Sequence, residues 1–345
     1  MPSQLSPVLA IDPAEATARI VAALRTQLAE VLKRRGFVVA MSSGVDSSVC
    51  AALAVRAVGS DHVFGLFLPE RESDPRSYQL AKALADQLGI ESTREDIAPI
   101  LEAAGCYRRR NDAIRRVIPE FRDDWGCKLA IDPGRMNLTM LVVQAPGEQP
   151  RKIRLPAAEY RAIVAASNFK QRVRKMLEYF HADRLHYAVV GTPNRLEYDQ
   201  GFFVKGGDGL ADVKPLAHLY KSQVYQLADY LGVPAAITSR PPTTDTFSLP
   251  QTQEEFYYSL PTRHLDVVLA ARNTGRAALE VAEELGRPAE QVERALRDID
   301  QKRATTRYLH LGPQLVEPVA IGAGLHAADG SYCAPALSHG AEVPA

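Results

Sequence analysis

"FVVAMSSGVDSSVCAALAVRAVG" (Phe37–Gly59) begins as an apolar run, breaks at four hydroxyls around one glycine and one aspartate, and resumes as a helical pattern. Phe37–Met41 reads as a buried strand, and Ser47–Ala57, rich in Ala, Val and Leu, as a helix directly after the turn. A turn between a strand and a helix presents unpaired amide hydrogens at the positive end of the helix dipole, which favours anions. Ser42, Ser43, Ser47 and Ser48 can each donate to a phosphate oxygen, Gly44 lets the backbone approach closely, and Asp46 can hold a metal ion. That donor set suits a pyrophosphate. The competing reading is that Ser, Gly and Asp only cap the helix. G-x-x-x-x-G-K-[ST] and G-x-G-x-x-G are both missing from the turn, which rules out the usual P-loop and dinucleotide fingerprints.

Working outward, Asp12–Arg34 opens on "DPAEA", an aspartate N-cap with proline at the first helical position, and carries apolar residues at helical spacing. His62–Pro69 reads as a second buried strand, followed by the helical "SYQLAKALADQLG". "ESTREDI" is a third strand, Asn168–Leu185 a helix and His186–Thr192 a further strand. Short apolar strands alternating with helices predict an α/β fold, a parallel sheet with helices on both faces. Such sheets bind ligands beyond the carboxyl ends of their strands. The hydroxyl turn, "GTPNRLE" and the residues near Pro69 all fall at such ends.

Two regions fit poorly. Tyr107–Ala166 contains two β-like runs around "APGEQP", which suggest a hairpin, and the span is expected to be an inserted flap. Residues 1–311 are then one domain carrying this insertion. Residues 312–345 form an extension, small and proline-punctuated, whose last part is expected to be a mobile tail.

Of the 345 residues, 46% are hydrophobic, enough for a sizeable core, and Lys plus Arg balance Asp plus Glu at 41 each. That balance supplies no global field for nucleic acid or an anionic membrane. Cys50, Cys106, Cys127 and Cys333 are dispersed and are expected to be reduced, with Cys50 a buried structural thiol. No signal peptide or run of about 18 apolar residues occurs, so the expected localisation is cytoplasmic. The histidines form no compact metal set, and His181 and His186 are expected at helix ends or on the surface.

The hydroxyl turn resembles the S-G-G-x-D-S loop of N-type ATP pyrophosphatases, with Ser43 in place of the first glycine. The likeness runs from about Ile11 to Pro313 and narrows to the NAD synthetase family. "NFKQRVRKMLEYFHADRLHYAVVGTPNRLE" (Asn168–Glu197) looks like that family's N-I-x-A-R-x-R-M helix and G-T-x-N-x-x-E strand end. "GFFVKGGDGLADVKP" looks like its G-x-x-T-K-x-G-D-G-x-x-D-x-x-P segment, and "PPTTDTFSLPQTQEE" like its P-[TS]-A-[DE]-L and Q-T-D-E stretches.

The resemblance implies that Ser42, Ser43, Gly44, Asp46, Ser47 and Ser48 hold ATP phosphates, with Arg172, Thr192 and Lys221 helping to hold the nucleotide. Asp46 and Glu197 would bind Mg²⁺, and Asp46 and Lys221 would be catalytic. Lys205, Asp208, Asp212 and Thr243 would orient the second substrate, with Phe202 and Phe203 offering a surface for a flat ring. Duller alternatives are that Asp46 caps its helix, Glu197 and Lys221 are solvated, Asp208 and Asp212 make turns, and the two phenylalanines are core.

The implied reaction is adenylation of a carboxylate, deamido-NAD by resemblance, with pyrophosphate release and displacement of AMP by ammonia. Only about 35 residues precede the first strand, short of a glutaminase domain, so free ammonia or a separate glutaminase partner is expected. A homodimer is also implied. Departures cluster on the acceptor side: the Tyr107–Ala166 insertion, Val204, Gly206, Leu210 and "FYYSLP". They leave open another carboxylate acceptor, a non-catalytic nucleotide-binding module, or sulfur transfer through Cys106 or Cys127. Arg108–Arg110, Arg115 and Arg116 pair with dinucleotide phosphates in one reading and are solvated in the other.

Overall fold

A computed structural model of the protein describes residues 6–131, 139–243, 246–258 and 260–317. The expected mobile tail therefore lies almost entirely outside the described residues. The chain opens with α1 (Pro13–Thr26), whose N-cap Asp12 accepts from the amides of Ala14 and Glu15. Next come β1 (Phe37–Ala40), α2 (Val45–Val58), β2 (Val63–Phe67), α3 (Pro75–Leu88) and β3 (Glu91–Arg94). Two helices follow, α4 (Ala98–Ala103) and α5 (Cys106–Arg115), then β4 (Gly126–Ile131), β5 (Thr139–Gln144) and β6 (Arg151–Arg154). The long α6 (Ala157–Leu185) leads into β7 (Ala188–Val190), α7 (Arg195–Gln200), α8 (Lys221–Tyr230) and α9 (Ala235–Thr238). The described chain ends through α10 (Gln253–Phe256), α11 (Thr262–Thr274), α12 (Ala278–Leu285) and α13 (Ala289–Thr306).

The main sheet is parallel in the order β3-β2-β1-β7, with Phe37 opposite both Val63 and Ala188. Period-two alternation divides its strands between two cores. Phe37, Val39 and Val63 join the apolar sides of α1, α2, α3 and α8. Val38, Phe64 and Leu66 face α4, α5 and α6. Helices thus cover both faces, as the sequence predicts.

Chain order reverses beside β1: β2 lies on one side and β7 on the other. This topological switch point opens a crevice at the carboxyl ends. Gly191 closes the far side, because a Cβ there would stand 2.7 Å from the Ala211 Cβ.

The expected hairpin is present as β5 and β6, but "GCKLAI" adds β4, which the sequence reading left out. The resulting antiparallel sheet is no free-standing flap. Leu129, Leu141 and Val143 pack with Ile114 of α5, Ile163 of α6 and Phe247. Helix α6 starts eleven residues before the expected Asn168, because its first turns cover this second sheet.

Candidate functional site

The hydroxyl turn joins β1 to α2. The N-cap of α2 is Gly44, as the capping reading allows, but no serine or aspartate side chain caps the helix, which leaves its first-turn amides available to an anion. The Ser47 and Ser48 hydroxyls donate back to the Gly44 carbonyl at 3.0 and 2.9 Å, while Ser42 Oγ accepts from the Gly44 amide at 3.3 Å. Ser42, Ser43, Gly44, Asp46 and Ser47 line a cleft of about 1240 Å³, and Ser48 is spent inside the turn. Ser43 holds φ +62°, a left-handed conformation that favours glycine, and its hydroxyl accepts from Arg240 at 2.8 Å. Arg240 also reaches Asp74 at 3.1 Å. The sequence reading missed it, since a lone arginine before "PP" carries no local signal.

Asp46 does not cap α2 either. Its Oδ2 accepts from Lys221 Nζ and its Oδ1 from Asn194 Nδ2 at 3.1 Å. Lys221 begins α8, whose first amides donate to Asp266 of α11 at 3.3 and 2.7 Å. Burial pushes Asp266 up to about 6, against those hydrogen bonds.

Glu197 closes a capping box on α7, accepting from the Asn194 amide at 3.2 Å, and its other oxygen accepts from Gln253 Nε2 at 2.9 Å. Burial, then the neighbouring Asp46 charge, push Glu197 up to about 7 despite Lys221. For Lys221, burial works downward but the two carboxylates win and raise its pKa. Two acids thus face one cation beside the hydroxyl turn, and the proton that Glu197 retains towards neutral pH stands in for a second positive charge.

A hard divalent ion beside the two acids would displace that proton and favour both ionised carboxylates. Mg²⁺ is characteristically held by one or two carboxylates, with substrate phosphates and water completing its shell. Among the described residues, no cluster of three or more His, Cys, Asp or Glu side chains supplies a complete protein cage. Asp46 and Glu197 are the two carboxylates that such an ion would find here.

The nucleotide candidates Arg172 and Thr192 line the cleft too, and so do the acceptor-side candidates except one: Phe202, Phe203, Lys205, Asp208 and Thr243 all contribute to its wall. Phe202 stacks on Tyr257 with ring centroids 4.6 Å apart, and Lys205 Nζ donates to the Tyr308 and Leu311 carbonyls at 2.9 and 2.8 Å. Arg172 Nε donates to the Lys205 carbonyl at 3.3 Å. Asp208 accepts from the Val204 amide at 2.8 Å, and burial raises its pKa. Asp212 instead lies outside the lining: its carboxylate accepts from the Val189 amide at 2.7 Å and the Tyr179 hydroxyl at 3.2 Å, bracing β7.

Other expectations change with the tertiary contacts. His181 is buried rather than on the surface, stacked on Phe64 and paired with Glu95, whereas His186 caps α6 as expected. Arg110 is buried against Glu72 at 2.8 Å, neither solvated nor turned to the cleft, while Arg115 and Arg116 pair with Asp112 and Glu159. Cys50, Cys106 and Cys127 are buried thiols outside the lining, and burial raises the pKa of each. The sulfur-transfer reading thus finds no thiol in the cleft among the described residues.

A parallel sheet with a hydroxyl turn and an acid–lysine cluster at its switch point is that of the adenine nucleotide alpha hydrolase fold. The NAD synthase family model matches residues 16–116 and 147–308, and the chain belongs to that family. The unmatched residues, 117–146, fall within the span expected to be inserted. The chain is 55% identical over 315 residues to an NH₃-dependent NAD⁺ synthetase of Rhizobium meliloti, covering 90% of this chain and 94% of that protein. The like-named protein of Mesorhizobium japonicum is 54% identical over 312 residues, covering 89% and 98%. Among solved structures, the NH₃-dependent NAD synthetase from Campylobacter jejuni overlays with a TM-score of 0.58 at 20% identity, covering 89% of this chain and 100% of that one; it shares the fold.

Proposed function

We propose that the chain is an ammonia-dependent NAD synthetase, an AMP-forming ligase that amidates deamido-NAD. The observation that carries the reading is the Asp46–Lys221 pair with Glu197, facing uncapped amides at the start of α2. A carboxylate is a poor electrophile because its leaving group would be oxide. Attack of the acceptor carboxylate on the α-phosphorus of ATP gives an acyl adenylate and pyrophosphate, and ammonia then displaces AMP. No covalent nucleophile is required of the protein, only alignment and charge stabilisation.

In this reading the α2 amides, Ser42, Ser43 and Ser47 bind phosphate oxygens, and Lys221 holds positive charge beside the leaving pyrophosphate. Asp46 and Glu197 would hold Mg²⁺, which would supply charge neutralisation to the triphosphate. Arg240 joins the phosphate-binding set through Ser43. Phe202, Phe203, Lys205, Asp208 and Thr243 belong to the acceptor end. Residues 1–311 act as one catalytic unit, as a homodimer for which the exposed Met176 and Phe180 of α6 offer an apolar face. Among the described residues, no helix is long and apolar enough to cross a membrane.

The test is pyrophosphate release from Mg-ATP and ammonium, with and without deamido-NAD, with products identified by mass. NAD and AMP are expected together and only with the acceptor. Folded, ATP-binding protein that releases no pyrophosphate with deamido-NAD would redirect the site to another carboxylate.

A further inference from the structure

The second sheet has a free edge, and that edge is in use. In the order β4-β5-β6, strand β4 pairs with β5 on one side only, so its outer backbone groups need partners from elsewhere. Residues 248–251 supply them. The Cys127 amide donates to Ser248 Oγ at 2.9 Å, the Leu249 amide donates to the Cys127 carbonyl at 3.2 Å, and Gln251 Nε2 donates to the Leu129 carbonyl. Lys128 Nζ donates to the Pro250 carbonyl at 2.9 Å and pairs with Glu255 at 2.7 Å. Close approach is built in: a Cβ on Gly126 would stand 2.5 Å from Leu249 Cδ2. Beside this contact Phe247 is buried in the second sheet's own core.

Two residues beyond the contact, Gln253 begins α10 and donates to Glu197. Phe247 and Phe256 of residues 246–256 line the cleft. Residues 117–146, which the family model does not match, contain both β4 and β5. The phosphate turn is built on different elements, β1 and α2.

We propose that the inserted sheet is a fixed template for the acceptor end of the cleft, with Lys128 and Gln251 as positioning residues that hold the 246–256 segment in register with Glu197. Neither side chain lines the cleft, so both act through the segment they hold. The proposal rests on the amide-ligase reading for its kinetic arm and is independent of it for its structural arm.

The structural arm is hydrogen exchange on the full, ligand-free chain. Slow exchange at the Leu249 amide is expected, with protection lost in Lys128→Met and regained in Lys128→Arg. Exchange of the wild-type amide at the rate of an open loop overturns the template, whichever carboxylate the enzyme uses. The kinetic arm compares the same variants. Lys128→Met should raise the KM for deamido-NAD about tenfold or more, because small misplacements near a reacting group are costly. Its KM for ATP should stay within about twofold, the change expected of an intact phosphate turn. Unchanged values for both substrates, or equal rises in both, overturn the positioning role. A wild-type chain that never amidates deamido-NAD overturns the functional reading alone and leaves the exchange result to decide the template.

Discussion

Two buried charge clusters border the same cleft and are balanced differently. At the switch point, Asp46 and Glu197 share one cation, Lys221, and Glu197 is left near 7. Near the end of β2, Glu70 and Glu72 meet two cations. Lys170 reaches them at 2.9 and 2.6 Å, and Arg110 reaches Glu72 at 2.8 Å. Burial works upward on Glu72, but the Arg110 hydrogen bond and the charges of Lys170 and Arg110 bring it down to about 2. The matched cluster is closed on itself, with the Tyr107 hydroxyl donating to Glu70 at 2.7 Å and Lys170 donating to the Thr246 carbonyl at 2.7 Å. A complete set of partners holds loops in place, whereas two acids with one cation leave one acid to keep its proton.

The contrast breaks most sharply if the unmatched acids are removed. Asp46→Ala and Glu197→Ala should each cut pyrophosphate release by about a thousandfold or more, while the circular dichroism spectrum stays that of the folded protein. Near-normal turnover in both would remove the metal assignment. Lys170→Met attacks the matched cluster and should behave oppositely. Leaving Glu70 and Glu72 buried without their shared cation costs about 3–5 kcal/mol, visible as a lower denaturant midpoint. Activity per folded molecule should fall far less than in the Asp46 variant.

Acid and base sharpen the same comparison. Glu197 binds its proton more tightly folded than unfolded, so its contribution is favourable at low pH and is lost as pH rises through about 7. Glu72 has the opposite sign: its contribution is complete above the ordinary carboxylate value and is lost as pH falls towards about 2. Glu197→Gln should therefore raise the melting temperature by about 2 °C or more at pH 8 and hardly at all at pH 5. An equal shift at both pH values would mean that Glu197 is not held neutral by its surroundings.

The smallest expected effect is at Ser43. Ser43→Gly relieves a left-handed backbone worth about 1–2 kcal/mol but removes a hydrogen bond to Arg240 worth about 1 kcal/mol. Stability should change by less than about 1 kcal/mol, while the KM for ATP rises about threefold as Arg240 loses its anchor. An unchanged KM would confine Ser43 to backbone geometry.

The elements legible in advance are those whose signal is local. The β1–turn–α2 unit, the Asp12 cap and the strands ending at "GTPNRLE" and near Pro69 follow from periodicity and capping within a dozen residues. Strand β4 was missed because "GCKLAI" breaks the apolar–polar alternation after its fourth residue, and its outer edge is bonded by residues more than 100 positions later. Asn194 and Gln253 stood inside quoted motifs without a role, since their partners Asp46 and Glu197 lie on other elements.

By itself the sequence determined a parallel α/β sheet, a hydroxyl-rich strand-to-helix turn and a set of charged residues at strand ends, because strand and helix periods and turn chemistry are short-range properties. Tertiary structure alone decided which charges meet. Asp46 and Lys221 are 175 residues apart, Ser43 and Arg240 are 197 apart, and Asp212 turns from the cleft to brace a strand. A charged side chain is costly to bury without a partner, and where that partner lies depends on how the layers pack.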